Sequence, residues 1–522
     1  MTSLTVADLM VSVGGWPLWA MALIGLVIAR AVFRRYWTSI RDIPGPFLAS
    51  FSSLWQVLQI LKGHTEVEAI KLHKQHGKLV YISPDPFATQ YVFLSCTMPG
   101  YFVRIAPNEV SVCHPDAVRQ LLHAHISKGP WYAILSLPDY RYVNQMSELD
   151  PQQHIRKQRN IASGYALSNI IKHEPHFDAV LQLLTTRLNH FCRSGQPVEL
   201  DRWFTFFAFD AVGEVIFSKS FGFLEQGKDI RDAIANQRLL APYAAVMGYY
   251  AWFHNLTLGN PLLSRLGIQP SSHVFDTCIA AIDARKENPA KRNDMMQKWL
   301  DTRAKHPDRM EEVEIFSTAV GTLGAGGDTV SATIQALFYF LIRHPQYMSR
   351  LQEELDASQA REELSPIVQY SEAQKLPFLQ ACMKETYRFH TAVGLGLPRV
   401  APRGGITIAG RHFAEGTVLS VNPWVIHRNP ELFGEDCDSF NPDRWLQKEA
   451  GRMDAFLIHW GAGYNACPGR NFAHFEISKL AATLFRDYYI EQVDPKQEWT
   501  WQNHFICVPY QWPCRIRQRP RT

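Results

Sequence analysis

The 522-residue chain has no Cys-x-x-Cys pair and no zinc-ligand spacing among its nine cysteines, so cysteine usage does not point to a metal-thiolate cluster. An odd, scattered set also speaks against a disulfide framework and fits reduced thiols facing the cytosol. Excess charge is small: 53 basic against 49 acidic residues leave a net +4. No basic stripe interleaves with aromatics, so the footprint of a nucleic-acid-binding protein is missing. No Gly/Ser linker, internal repeat or low-complexity run divides the chain. Its length would allow about three average domains, yet one large domain behind an N-terminal segment is expected. Regular strand–helix alternation, the pattern of a dinucleotide-binding fold, is absent as well.

The N-terminus is where the sequence becomes distinctive. Between Asp8 and Arg30 lie twenty-one uncharged residues, which as a helix span about 30 Å, the thickness of a bilayer's hydrocarbon core. Arg30, Arg34 and Arg35 follow, and the leader carries only Asp8. The positive-inside rule then predicts a lumenal leader (1–8), a transmembrane anchor (9–29) and a basic, proline-rich elbow (30–46). The main domain (47–522) would face the cytosol, a single-pass arrangement. A cleaved signal peptide would carry its positive charge ahead of the apolar run instead. Pro44 and Pro46 of "IPGP" are expected to keep the anchor helix from running into the body.

Beyond residue 102 the patterning predicts a mainly α protein with a minor β-sheet region (α+β). Helical periodicity dominates from about 114 to 390. "VRIAPNEVSV" (103–112) reads as a strand, and residues 405–421 and the tail "NHFICVPYQWPCRIR" read as two short hairpins.

The helix from about 313 to 343 contains "GTLGAGGDTVSAT", with Gly321, Gly324, Gly326 and Gly327 inside a long apolar run. Four interior glycines cost roughly 3–4 kcal/mol relative to alanine. They permit a large flat group to approach, or a local distortion of the ladder; a close helix–helix contact accounts for them equally well. Asp328 and Thr329, suited to passing protons, sit at that point. In "LQACMKETYRFH", Glu385 and Arg388 share one helix face, and Arg444 of "FNPDRW" offers a second arginine to the same carboxylate. "GAGYNACPGR" (461–470) places Cys467 among glycines and a proline, a setting that a plain turn does not need.

In this order, "AGGDT" (325–329), "ETYR" (385–388), "FNPDRW" (440–445) and "WGAGYNACPGR" (460–470) resemble the cytochrome P-450 haem-thiolate monooxygenases. Within them the chain is most similar to membrane-bound fungal enzymes of secondary metabolism, the pisatin demethylase-like group. The resemblance implies the cytochrome P-450 fold with an N-terminal transmembrane helix, and haem b (iron protoporphyrin IX) with Cys467 as its axial cysteine thiolate and iron ligand. It implies Trp460, Gly461 and Gly469 around the sulfur, and Gly326 making room for dioxygen beside Asp328 and Thr329 as proton donors. Glu385, Arg388 and Arg444 become a structural network behind the haem. Two positions depart from the family: Asn465 and Gln158 stand where basic residues usually meet the haem carboxylates, which leaves His154 and Arg399 for that task.

The implied partners are NADPH-cytochrome P-450 reductase, with cytochrome b5 as an optional second donor, O2, the endoplasmic reticulum membrane and a hydrophobic small molecule. Its pocket would be drawn from Lys128–Tyr142, Pro242–Phe253, Ala392–Leu397 and Ile506–Val508. The implied reaction is oxidation of that molecule, a hydroxylation or related tailoring step. A haem-thiolate isomerase or dehydratase that needs no O2, and a non-catalytic haem-binding protein, are the alternatives; intact Asp328 and Thr329 speak against the first and the glycine-rich helix against the second. Residues 79–101 do not fit the family's course, and read either as a translated intron or as a membrane-facing loop.

Overall fold

In the computed structural model, residues 6–76, 100–266, 273–287 and 293–520 are described. The anomalous segment 79–101 lies outside them save for its last two residues.

The first helix, α1 (Val6–Tyr36), contains the whole uncharged run. Among the described residues no helix is long and apolar enough to cross a membrane. The helix runs past the expected anchor into the elbow and ends at Tyr36, short of Pro44 and Pro46. Its end is held by Arg104, whose guanidinium donates to the carbonyls of Arg34 (2.7 Å), Arg35 (3.4 Å) and Pro107 (2.8 Å), satisfying acceptors that a helix C-terminus leaves open. The elbow instead docks on the body: the Arg104 amide donates to the Pro44 carbonyl at 2.8 Å. A Cβ on Gly45 would sit 2.2 Å from the Arg104 carbonyl oxygen.

The stretch 103–112 is not one strand. Pro107 and Asn108 turn it into the hairpin β1 (Phe102–Ala106) and β2 (Glu109–Val112). The helices that build the site follow. They are α2 (Pro151–Ile161), α3 (Leu200–Phe217), α4 (Ala233–Met247), α5 (Glu312–Arg343) and α6 (Pro377–Phe389). The Asp150 side chain caps α2 by accepting from the Gln153 amide, with Pro151 at the first helical position. In α5, Glu312 and Glu314 in the first turn and Arg343 in the last complement the helix dipole.

Strands β3 (Leu397–Val400), β4 (Ile406–Ile408), β5 (Arg411–Phe413) and β6 (Val418–Val421) come next. The predicted 405–421 hairpin divides. Strands β4 and β5 pair with each other, while β6 joins a four-stranded sheet of order β1-β2-β6-β3, parallel to β2 and antiparallel to β3. After α7 (Arg470–Asp487) come β7 (Tyr488–Gln492), β8 (Thr500–Asn503), β9 (Cys507–Tyr510) and β10 (Cys514–Gln518). The tail also splits: β9 pairs with β8, and β10 reaches back to β7. These differences share one cause. Alternation locates a strand, but its partner is chosen by burial of the whole face.

The largest core joins α3, α5, α6 and α7. Two of the α5 glycines are explained here. A Cβ on Gly327 would meet the Phe209 ring at 2.5 Å, and one on Gly326 would meet Val212 at 2.9 Å. Both let α3 approach α5, and α5 runs as an unbroken helix with no distortion at "AGGDT".

Candidate active site

A cavity of about 1000 Å³ opens between α5 and the cysteine loop. The loop begins at Trp460, whose carbonyl accepts the Cys467 amide at 2.7 Å. Gly461 (φ +69°) and Gly463 (φ +62°) adopt the left-handed backbone that the tight turn requires. A Cβ on Gly463 would lie 2.5 Å from the Leu122 carbonyl oxygen, so the loop is pressed against the preceding chain. Burial pushes the Cys467 thiol up, while the amides of Gly469 and Arg470 and the Arg470 charge pull it down. Those donors favour the thiolate. Trp460 packs against Tyr387 of α6, ring centroids 5.4 Å apart.

Across the cavity, Ala325 is exposed and Thr329, one turn on, is half-buried; both line it. The Thr329 hydroxyl donates to the Ala325 carbonyl at 2.6 Å. Space opens over Gly324, where a Cβ would meet nothing within 4 Å. Gly326 also lines the cavity, although the direction a Cβ would take from it meets Val212 of α3, and the most open part of the helix is the Gly324–Ala325–Thr329 face. Asp328 is buried and points toward α4, where Gln237 Nε2 (2.8 Å) and Arg238 Nη2 (3.2 Å) donate to its carboxylate. Neither partner was anticipated, although Arg238 is the lone charge in an otherwise uncharged α4, a signal in plain sight.

Behind the loop, Glu385 accepts from Arg388 Nη2 (2.7 Å) and Nε (2.9 Å), Arg444 Nε (3.2 Å), Trp445 Nε1 (2.9 Å) and the Asn441 amide (2.7 Å). The structure thus brings Glu385, Arg388 and Arg444 into one buried cluster.

His154 lines the cavity, but both of its ring nitrogens are occupied by protein. Nε2 donates to the Tyr464 carbonyl at 3.1 Å, and Nδ1 accepts from the Lys128 ammonium at 3.1 Å. Burial, then the Lys128 charge, pushes it down to about 4, so it is a neutral tie between α2 and the cysteine loop. Gln158 Nε2 approaches the Ala466 carbonyl at 3.4 Å. Arg399 is buried at the same edge, its Nη1 donating to the Pro398 carbonyl at 2.9 Å and its Nε without a partner among the described residues.

Of the expected pocket stretches, residues from Lys128–Tyr142, Tyr243–Ala245, Ala392, Val393, Leu397, Ile506 and Val508 face this cavity. A half-buried thiol with amide donors on one wall, an open helix face with a hydroxyl on the other, and an unpartnered guanidinium nitrogen at the edge fit a flat macrocycle bearing an axial thiolate and carboxylates. The class is that of a haem-thiolate protein.

The comparisons agree. The cytochrome P450 family model matches residues 98–511, and the chain belongs to that family. It is 29% identical over 503 residues to "Cytochrome P450 monooxygenase cicH" of Emericella nidulans, covering 95% of this chain and 97% of that protein. To "Cytochrome P450 monooxygenase gsfF" of Penicillium aethiopicum it is 27% identical (93% and 95% covered), and to a pisatin demethylase of Fusarium vanettenii 28% identical (90% and 87% covered). The enzyme class is cytochrome P450 monooxygenase, with haem b on an axial cysteine thiolate, a redox partner, O2 and a hydrophobic substrate.

Proposed function

We propose that this chain is a membrane-tethered monooxygenase that oxidises a hydrophobic small molecule, by hydroxylation or a related tailoring step, in fungal secondary metabolism. Electrons would come from NADPH-cytochrome P-450 reductase. The observation that carries the assignment is the Cys467 loop facing the open side of α5 across a large apolar cavity.

In this reading Cys467 is the axial ligand. Haem, when bound, supplies the site where dioxygen is held and activated. The chain's residues supply the rest. The amides of Gly469 and Arg470 stabilise negative charge on Sγ. Gly461 and Gly463 fold the loop, and Trp460 and Tyr387 pack beside it. Arg399 takes a haem carboxylate. The Thr329 hydroxyl, anchored on the Ala325 carbonyl, holds a proton at the cavity face. Asp328, held by Gln237 and Arg238, links that point to α4, where the Arg238 side chain is partly exposed. The apolar lining selects a hydrophobic substrate. The relatives named pisatin demethylase favour a small hydrophobic metabolite rather than a polymer.

The test is the carbon-monoxide difference spectrum of the reduced protein, where thiolate ligation gives a strongly red-shifted Soret band. Absence of that band from a folded, haem-loaded chain would overturn the assignment. Thr329→Ala should leave the band intact while product formation falls by about two orders of magnitude or more, the scale of a lost positioned proton donor. NADPH consumption would persist. Unchanged product per NADPH would remove Thr329 from the proton path.

The proposed architecture is a lumenal leader (1–8), an anchor (9–29), an elbow (30–46) and a cytosolic catalytic domain (47–522) in the endoplasmic reticulum. Supporting it, α1 exposes apolar side chains from Trp19 (79% exposed) to Phe33. Phe47, Leu48, Leu54 and Leu61 extend the exposed apolar surface beyond it. Deleting residues 2–29 should leave the red-shifted band unchanged but shift the protein from a carbonate-resistant pellet to the wash. A deleted form that stays in the pellet would mean that α1 is not the anchor.

A further inference from the structure

Behind the thiolate loop stands a set of oxidisable rings with no part in substrate binding or proton delivery to the cavity face. Trp460 and Tyr387 both line the cavity, their ring centroids 5.4 Å apart. The His459 ring lies flat on Tyr387 at 4.3 Å and leans on Trp460 at 4.5 Å. Tyr387 is 4% exposed, and its hydroxyl donates to His474 Nδ1 of α7 at 3.1 Å. His474 is half-buried, and its Nε2 lies 3.4 Å from the side-chain amide of the exposed Gln374. A path of rings therefore begins at Trp460, whose carbonyl holds the Cys467 amide, and ends on a base near solvent.

The Tyr387–His474 pair is suited to giving up an electron and a proton together. Burial, then Tyr370, pushes the Tyr387 phenol well above its ordinary range, so it does not ionise by itself. Its oxidation needs a base already in contact with the hydroxyl. Burial, then the Lys384 charge, pushes His474 down to about 4, which leaves the imidazole neutral at neutral pH with Nδ1 free to accept. Two other rings lining the cavity lack such a partner. The Tyr165 hydroxyl meets the Thr322 hydroxyl at 2.5 Å, and the Trp131 indole N–H donates to the Ala245 carbonyl at 2.9 Å. Neither partner is a base. Tyr243 does meet His254 Nδ1 at 3.1 Å, but it lies on α4, with no ring of the cysteine loop against it among the described residues.

We propose that Tyr387 is a redox-active tyrosine that drains oxidising equivalents from the haem-thiolate centre when no substrate takes them. The inference rests on the haem-thiolate reading above. One electron passes from Tyr387 through the Trp460 ring to the oxidised haem. The phenol O–H bond breaks, and its proton goes to His474 Nδ1. The haem is thereby reduced by one electron, and a neutral tyrosyl radical is left beside a protonated imidazole. An electron from the redox partner and return of that proton restore the phenol. Without such a drain, an oxidant formed in an empty cavity would be spent on the thiolate and the macrocycle, and thiolates are readily oxidised.

The experiment mixes the full-length ferric holoenzyme, free of substrate and reductase, with an aromatic peroxyacid. The mixture is freeze-quenched and read by electron paramagnetic resonance. The wild type should give a tyrosyl signal that loses its ring-proton splitting in protein made with ring-deuterated tyrosine. Tyr387→Phe should lose that signal and bleach its Soret absorbance several-fold faster, while circular dichroism and the red-shifted carbon-monoxide band stay as in the wild type. His474→Gln keeps the phenol but removes the base, and should lose most of the signal. It carries the test should Tyr387→Phe misfold. Tyr243→Phe should retain the signal. A wild-type signal in Tyr387→Phe or His474→Gln, or its loss in Tyr243→Phe instead, overturns the inference. So does a wild-type protein that shows the red-shifted band but no tyrosyl signal, and the haem-thiolate reading then still stands. A wild-type protein without that band overturns both.

Discussion

Cys467→Ala is expected to abolish the red-shifted band and to lower monooxygenase turnover by on the order of 1000-fold or more, about 4 kcal/mol in barrier. The substitution removes one atom and little else. The loop is held by its backbone, through the Cys467 amide on the Trp460 carbonyl and the left-handed glycines at 461 and 463, and none of these contacts uses the sulfur. Stability should therefore change by about 1 kcal/mol, within the range of ordinary substitutions, and circular dichroism should remain that of the wild type. The control is Cys278→Ala. Cys278 also lines the cavity, but burial pushes its thiol up to about 12, and no amide donor offsets that. It should keep the band. The reverse pattern, with the band surviving at 467 and lost at 278, would move the ligand to the other wall and undo the assignment of the loop.

What was legible beforehand is what lies within one short stretch of chain. Cys467 and its glycines are a local motif whose conformation is dictated by φ, and the structure has that conformation. Glu385 and Arg388 share a helix face by spacing alone. What was not legible depends on which element lies across from a residue. Gly326 and Gly327 look from the sequence like openings toward a ligand; both also make room for α3, at Val212 and Phe209, and Gly326 lines the cavity as well. His154 looks like a carboxylate ligand until Lys128 and Tyr464 occupy its ring. Lys128 drew notice only as the edge of a stretch, because its bridge to Arg399 joins residues 271 apart. The split of 405–421 between two sheets has the same origin. Spacing within a segment is set by the chain, but the partner of a segment is set by the packed whole.

Arg388→Ala is expected to destabilise the folded protein by about 3–5 kcal/mol, the range for breaking a buried ion pair from one side. That is a large share of the roughly 5–15 kcal/mol that holds a typical domain. The side chain does more than pair with Glu385. Its Nη1 donates to the carbonyls of His427 (2.8 Å) and Cys437 (2.6 Å), and its Nη2 to that of Ser439 (2.8 Å), so alanine would orphan two buried acceptors and a part-buried one as well as unbalance the carboxylate. The damage should reach the cysteine loop along a short path. His427 Nε2 accepts from the Ile458 amide at 3.0 Å, and the Ile458 carbonyl accepts from the Gly461 amide at 2.8 Å. With the carbonyl of His427 freed, that turn loses its fixed point next to Cys467. Haem release should therefore accelerate at temperatures where circular dichroism still reports a folded chain. Arg388→Lys retains the charge but not the fork that reaches a carboxylate and three carbonyls at once, and should recover only part of the loss. Haem release that rises only in step with global unfolding would confine the cluster to general stability; release that precedes unfolding would make it the support on which the thiolate loop is held.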